Sequence, residues 1–299
     1  MDCIPIWNAY SKPMETQNLS AFIHVAQLQS FSLAAEHLHL TQPAVSKRVA
    51  ALEEQLGKKL FDRIGRTVTL TEAGNVLLPH ALKIMQEVKE TRRELADMSG
   101  EVAGVLQLAT SHHIGLHRLP KVLHNYVQQY PQVDMQLRFI DSEKAYEEII
   151  QGNIELAAIT LPSAVPATIS ARTIWPDPLA FVVSPRHPLA KLKSVTLERL
   201  LQHPAILPDL STHTTQIVRK LFDDHELDLS IGMTTNFLES IKMMITIELG
   251  WSVLPRTMVD KQLVPLRIPS VSLSRNLGVV YHRERSLSNA ATAFLALFQ

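Results

Sequence analysis

A chain of 299 residues, 46% hydrophobic and 19% charged, is long enough for two or three compact units and has the composition of neither a disordered nor a membrane-spanning protein. Its 29 Lys/Arg are balanced by 29 Asp/Glu, so bulk electrostatics lend no support to binding a polyanion. Cys3 is the sole cysteine, which excludes an intramolecular disulfide, a Cys-based zinc site and a two-cysteine redox switch, and makes a reducing cytoplasm the default compartment.

Residues 1–13 have no basic n-region, too short an apolar run and no small-residue cleavage site. They read as a disordered extension, or as the product of an upstream start codon ahead of Met14, and not as a secretory signal. Residues 14–73 then read as three short helices and a hairpin, a winged helix-turn-helix. Phe22, Val25 and Ala26 share a face of the first helix, and Phe31-Ser32 opens a second in which Ala34, Ala35 and Leu38 recur at helical spacing. The small alanines let a third helix cross closely. Thr41 is placed to cap that helix through its hydroxyl, Pro43 is tolerated in its first turn, and Gly57 ends it. Val45, Val49, Leu52 and Leu56 form its buried stripe, so Gln42, Ser46 and Lys47 project from its exposed N-terminal part. In a helix-turn-helix that end enters the major groove, where a Gln amide can bond an adenine edge and Lys can donate to guanine or to phosphate.

The segments LFDR and TVTL flank Ile64-Gly65-Arg66 as two strands around a tight turn, which presents Arg63 and Arg66 at a wing that reads phosphate or the minor groove. Between Glu15 and Gly74 six Lys/Arg face six Asp/Glu, so the argument rests on where the charges sit. The run FSLAAEHLHLTQPAVSKRVAALEEQLGKKLFDR, with TLTEAG after it, resembles the DNA-binding domain of LysR-type transcriptional regulators. The resemblance implies that Gln42, Pro43, Ser46 and Lys47 face DNA and that the wing arginines lie along its backbone. Ser32, Thr41, Ala44 and Arg48 complete the expected DNA-binding set. Lys47 stands where arginine is also common in the family, so base contact and phosphate contact stay unseparated there.

A linker helix is expected over 74–100, with Thr71 as its cap. Leu77, Ala81, Ile84, Val88, Thr91, Leu95 and Met98 alternate spacings of four and three, an a/d seam of about three heptads. The helix could simply pack on its own domain, but it offers more apolar seam than so small a domain can cover. Leu77, Ala81, Ile84, Val88 and Leu95 are therefore expected to pair two chains, as the reading of a pseudopalindromic operator by a two-fold dimer requires.

From 101 to 299 strands alternate with helices, which argues a parallel sheet with buried strands. Strands are expected at Val105–Ala109, Val133–Ile140, Ile154–Thr160, Leu179–Ser184, Ala205–Leu207, Ile231–Thr234, Ser252–Leu254 and Leu277–His282. Helices are expected from Pro120, from Ser142 to Gly152, and over Thr196–Gln202, Ser211–His225, Phe237–Leu249 (capped by Gly250) and Leu287–Leu297. This is a two-lobed, periplasmic-binding-protein-like α/β effector domain, lobe one at about 104–161 and 274–299 and lobe two at about 162–273. GNIELAAI, LGWSVLP and LQLATSHHIGLHRLP extend the LysR-type resemblance here, more loosely than in the first domain.

A ligand in such a fold sits between the lobes, at strand C-termini and helix N-termini. Thr110, Ser111 and His112 follow the first strand, Ser142 opens a helix of the same lobe, and Ser211, Thr212 and Asn236 lie at helix N-termini of the second. Hydroxyls at helix N-termini favour an anion, a small carboxylate or inorganic oxyanion. For any single one of them, capping its own helix is the simpler role. His112, His113 and His117 raise the question of a metal, but 113 and 117 would straddle a loop-to-helix junction with no third ligand near in sequence, so neither metal nor cofactor is expected. The motifs G-x-S-x-G, H-E-x-x-H, the P-loop and G-x-G-x-x-G are absent, so no enzyme is expected.

The chain is accordingly read as a cytoplasmic regulator tuned by a small anionic effector. Its expected partners are double-stranded DNA and a second copy of itself, with a homotetramer implied by the resemblance, RNA polymerase a candidate, and no membrane. The competing class is a two-lobed enzyme or solute-binding protein fused to a helical domain.

Overall fold

Three helices open the described chain: α1 (Thr16–Leu28), α2 (Phe31–His37) and α3 (Gln42–Leu56). The computed structural model describes residues 14–64, 67–162 and 164–298, so the expectations for Cys3, for the rest of 1–13 and for Arg66 lie outside the described residues. Ser30 caps α2, its hydroxyl accepting the Leu33 N–H at 3.2 Å. The turn into α3 passes through His39 at φ 53°. Thr41 holds the N-cap backbone conformation of α3, yet its hydroxyl bonds no helix N–H. The reason is local: Pro43 has no N–H, and the Ala44 N–H donates to the Thr41 carbonyl instead (3.0 Å). Leu19, Phe22 and Val25 of α1, Ala34 and Ala35 of α2, and Val45, Val49 and Leu52 of α3 are buried together as the core of this unit.

α3 ends where Gly57 turns left-handed at φ 63°. The chain then enters β1 (Phe61–Ile64), which pairs antiparallel with β2 (Thr67–Leu70), Ile64 opposite Thr67, so Ile64 belongs to the strand and not to the turn. The Thr71 hydroxyl accepts the Gly74 N–H at 3.1 Å and opens α4 (Glu72–Asp97). A Cβ at Gly74 would lie 2.3 Å from the Leu60 carbonyl oxygen, so glycine is what lets α4 close on the strand entry. α4 continues through Pro79, which leaves the Asn75 carbonyl without its intrahelical donor.

A second compact unit begins at Asp97. Its elements are β3 (Gly104–Thr110), α5 (His112–His117), α6 (Pro120–Gln129), β4 (Val133–Phe139), α7 (Ser142–Gln151), β5 (Leu156–Thr160) and β6 (Ile169–Val183). There follow α8 (Leu197–Leu200), β7 (Ala205–Leu207), α9 (His213–Asp223), β8 (Ile231–Thr234), α10 (Leu238–Thr246), β9 (Ser252–Pro255), β10 (Val264–Pro265), β11 (Leu273–His282) and α11 (Asn289–Ala296).

β3 pairs parallel with β4 and β5, as the alternation of strand and helix predicts. The sheet as a whole is mixed: β11 runs antiparallel to both β5 and β6, and β9 and β10 pair antiparallel with β6. β6 starts ten residues before the expected strand. Pro176 and Pro178 read as breakers, but where they sit β6 pairs with β11 alone, so an open edge accommodates the missing N–H groups. The paired β6 and β11 thus run from a lobe built on Leu106, Leu108, Tyr126 and Phe294 to one built on Val183, Val218, Phe222 and Trp251.

Two further expectations differ. α10 ends at Thr246 and the left-handed residue after it is Glu248 (φ 69°), not Gly250. Gly250 answers a different need, because a Cβ there would lie 2.1 Å from the Pro204 carbonyl oxygen. The six-residue helix α5 has no counterpart in the expected elements.

Candidate DNA-binding surface and effector cleft

On α3, burial of Val45, Val49 and Leu52 turns Gln42, Pro43 and Lys47 outward, with Thr41 exposed before them and Ala44, Ser46 and Arg48 half-buried. The Gln42 amide donates to the Ser46 hydroxyl one turn on (3.0 Å), so both polar groups are held at the same corner of the helix. Arg48 is turned back, its guanidinium donating to Gln17 of α1 at 2.8 Å. That bond locates Arg48 at the α1–α3 seam. Ser32 is exposed on α2. Arg63 lies on β1, and its side chain, like all of Arg66, is outside the described residues.

Within the second unit a cleft of about 50 Å³ opens between the lobes, room for roughly three or four waters. Ser111, His112, Ser142, Thr212 and Asn236 line it as expected, and Thr110 and Ser211 do not. Thr110 is buried and its hydroxyl donates to the Ala158 carbonyl (2.9 Å), knitting β3 to β5. Ser211 spends its hydroxyl on Asp209 (2.8 Å). Ser142 is the first residue of α7 and not its cap, which is Asp141; its oxygen accepts the Thr160 N–H at 3.0 Å. Ser111 precedes α5 without capping it. Thr212 caps α9, accepting the Thr215 N–H at 3.3 Å.

Charged groups that no local sequence pattern exposes dominate the cleft. Arg275 of β11, 8% exposed, donates to Asp177 (2.8 Å) and to the Thr214 hydroxyl (2.6 Å), and Arg118 donates to the other Asp177 oxygen (3.1 Å). Burial lowers the Arg275 pKa, Asp177 and Glu143 oppose this, and a guanidinium keeps its proton at any working pH. Asp177 lies between two guanidinium groups, and Arg275 shares the cleft lining with the carboxylates Asp141 and Glu143. Asp177 and Arg275 are 98 positions apart in sequence, so only strand pairing reveals them.

The lobes also touch directly. The Asn236 amide donates to Asp141 (2.8 Å) and its oxygen accepts the Asp209 N–H (2.9 Å). Glu143 of α7 accepts the His213 N–H at 2.8 Å, so a carboxylate of the protein already occupies the N-terminus of α9. On the side of α5, His117 lies 2.8 Å from a Glu239 carboxylate oxygen of α10. Because 112–117 is helical, His113 and His117 stand one turn apart with ring centroids at 4.9 Å, which removes the expected obstacle of a loop-to-helix junction. Burial, with the Arg275 charge adding to it, pushes the His113 imidazole down to about 4.

The comparisons with known proteins bear on both units. Residues 99–299 match the LysR substrate binding domain, and residues 16–75 match the bacterial regulatory helix-turn-helix of the lysR family. The chain belongs to the LysR family. An HTH-type transcriptional regulator from the ibpB-leuC intergenic region of Azotobacter vinelandii is 63% identical over 107 residues, 36% of this chain and 74% of its own. The transcriptional activator CmpR of Synechocystis is 30% identical over 279 residues, 92% of this chain and 91% of its own. Full-length OxyR from Pseudomonas aeruginosa shares the fold at TM-score 0.69 and 22% identity, covering 96% of this chain and 94% of that one. CbnR, solved in complex with its target DNA, does so at TM-score 0.66 and 21% identity, covering 95% and 98%. This LysR-type protein is thus a transcriptional regulator that joins a DNA-binding winged helix-turn-helix to an effector-binding domain. Among its described residues no helix is long and apolar enough to cross a membrane.

Proposed function

We propose that the N-terminal turn of α3 reads operator bases, that α4 pairs two chains on a pseudopalindrome, and that a small anion sets the arrangement of the two lobes. The observation that carries the first part is the exposure of Gln42 and Lys47 on a helix whose opposite face is fully committed to the core. Ser46 and the wing residues Arg63 and Arg66 add contacts to base edges and backbone. Structural kinship to CbnR, which was solved on its target DNA, agrees with this reading. For α4 the support is the seam itself: Ile84, Leu95 and Met98 are 41%, 65% and 81% exposed in the single chain. Two dimers joined as a tetramer, contact with RNA polymerase, a cytoplasmic setting and the absence of catalysis belong to the same reading.

The effector part rests on Glu143. Its carboxylate at the α9 N-terminus has the chemistry of the ligand that helix would otherwise attract. An entering carboxylate or oxyanion displaces it and gains the α9 backbone N–H groups, the Ser111 hydroxyl and the Arg275 charge that Glu143 otherwise faces. The test of the whole reading is a footprint on the upstream region of the protein's own gene. A protected pseudopalindrome whose occupancy changes with a small anion is expected; absence of any sequence-specific protection overturns it.

A further inference from the structure

We propose that His113, His117 and Glu239 form a binding site for a divalent transition cation of the zinc class, which ties α5 of one lobe to α10 of the other. Among the described residues this is the one group of three metal-ligating side chains whose ligand atoms all lie within 4.8 Å of one another. Tetrahedral zinc holds nitrogen and oxygen ligands at about 2.0–2.2 Å, hence about 3.3 Å apart, so closing on an ion needs a contraction of roughly 1.5 Å at the widest pair. The side chains of His117 and Glu239 are 44% and 39% exposed and free to make that adjustment.

A second observation points to a missing ligand. His113 is 4% exposed, and both of its ring nitrogens, with Oε2 of Glu239, are buried without a hydrogen-bond partner among the described residues. Buried polar groups are normally satisfied, and leaving them unpaired costs free energy. The 2.8 Å contact accounts for His117 Nε2 and Oε1 of Glu239 and leaves Oε2 and both His113 nitrogens unexplained. A cation placed among the three takes one ring nitrogen of His113 together with His117 and Glu239, and leaves the other His113 nitrogen as an N–H. Arg275 is a positive group that opposes a cation here; Asp177, which Arg275 shares with Arg118, and the ligand Glu239 itself act the other way. His113 also lines the cleft, so water there can supply the fourth ligand. Because the ligands come from both lobes, the ion favours the lobe arrangement that brings them together.

The test uses the full chain, stripped with a chelator and titrated with Zn(II) by calorimetry and with Co(II) by visible absorption. One equivalent per chain and a tetrahedral Co(II) spectrum are expected. His117→Ala and Glu239→Gln should each weaken binding by more than about tenfold and lose that spectrum, while His225→Ala, at an exposed histidine on another face, should change neither. His113 is left intact because misfolding of a buried-site variant would mimic loss of a ligand. No uptake by the wild type, or equal affinity and spectrum in the His117 and Glu239 variants, overturns the site. The readout is metal on the protein, so either result leaves the DNA and anion readings untouched.

Discussion

Lys47 is exposed on the second turn of α3, two residues from Val45 and two from Val49, both of which are buried. Truncation at 47 therefore removes a ligand for DNA without touching the core. Lys47→Ala should weaken operator binding by roughly 1–3 kcal/mol if a base contact is lost, with preference flattened at one base pair; if a phosphate contact is lost, all sequences weaken alike and the salt slope falls by about one. Unchanged affinity in a DNA titration would mean that α3 is not the reading helix. Glu53, on the same helix, carries a structural role instead. Its carboxylate accepts the Lys59 ammonium at 2.7 Å and the Leu60 N–H at 2.9 Å, fixing the path from α3 into the wing. Burial alone would raise its pKa, but those bonds hold it below the ordinary 4.5. A carboxylate depressed in the folded state stabilises above its unfolded pKa, and that stability is lost as pH falls through the folded value. Glu53→Gln should cost about 1 kcal/mol near neutrality and flatten the acid limb of the stability curve below about pH 4.5. An unaltered acid limb in urea titrations at several pH values would count against it.

The helix α4 is where local pattern and long-range partner have to be separated. Leu77 and Ala81 belong to the core of their own unit, whereas Ile84 and Leu95 farther along the same stripe stay open. Ile84→Asp with Val88→Asp should give a species of lower mass by light scattering and weak binding to a full palindrome, with half-site binding kept. Two half-sites read by one dimer gain an effective concentration that separate monomers lack. Full-site affinity equal to wild type would show that α4 does not set half-site spacing. α5 makes the complementary point. Six residues between a strand and Pro120 carry too little periodic signal to be recognised, yet their helical form decides that His113 and His117 share a face.

For the effector-binding unit as a whole, the arrangement of the lobes is held by pairs that span the cleft, among them Glu143 with the α9 N-terminus and Asn236 with Asp141. An effector changes that arrangement only if it binds one lobe arrangement better than another. Glu143→Gln strips the internal competitor of its charge while leaving a weaker neutral acceptor, so affinity for an anion found by a thermal-shift screen of small carboxylates and oxyanions should rise, by up to roughly tenfold. Ser111→Ala should act oppositely, reducing effector affinity by roughly 1.5–3 kcal/mol while DNA affinity without effector is unchanged. DNA titrations with and without the anion separate the two quantities. If the Glu143 variant binds the anion no better, the α9 N-terminus is not the effector subsite.

Elements whose signals are local were legible along the chain. The stripe of Val45, Val49 and Leu52, the stop at Gly57 and the Thr71 cap are each written within a few residues, and they sufficed to specify the first unit and the outward face of Gln42 and Lys47. The parallel pairing of β3 with β4 and β5 followed from alternation in the same way. Tertiary structure alone decided the cleft. Whether a hydroxyl faces ligand or sheet depends on what lies opposite, which is why Thr110 turned to Ala158 while Ser111 kept the cleft. Asp177 meets Arg275 only because β6 and β11 pair along their length, and Glu239 meets His117 only because two lobes close on each other. Electrostatics and metal ligation depend on distance in space, and a chain encodes that distance only through the packing of its whole fold.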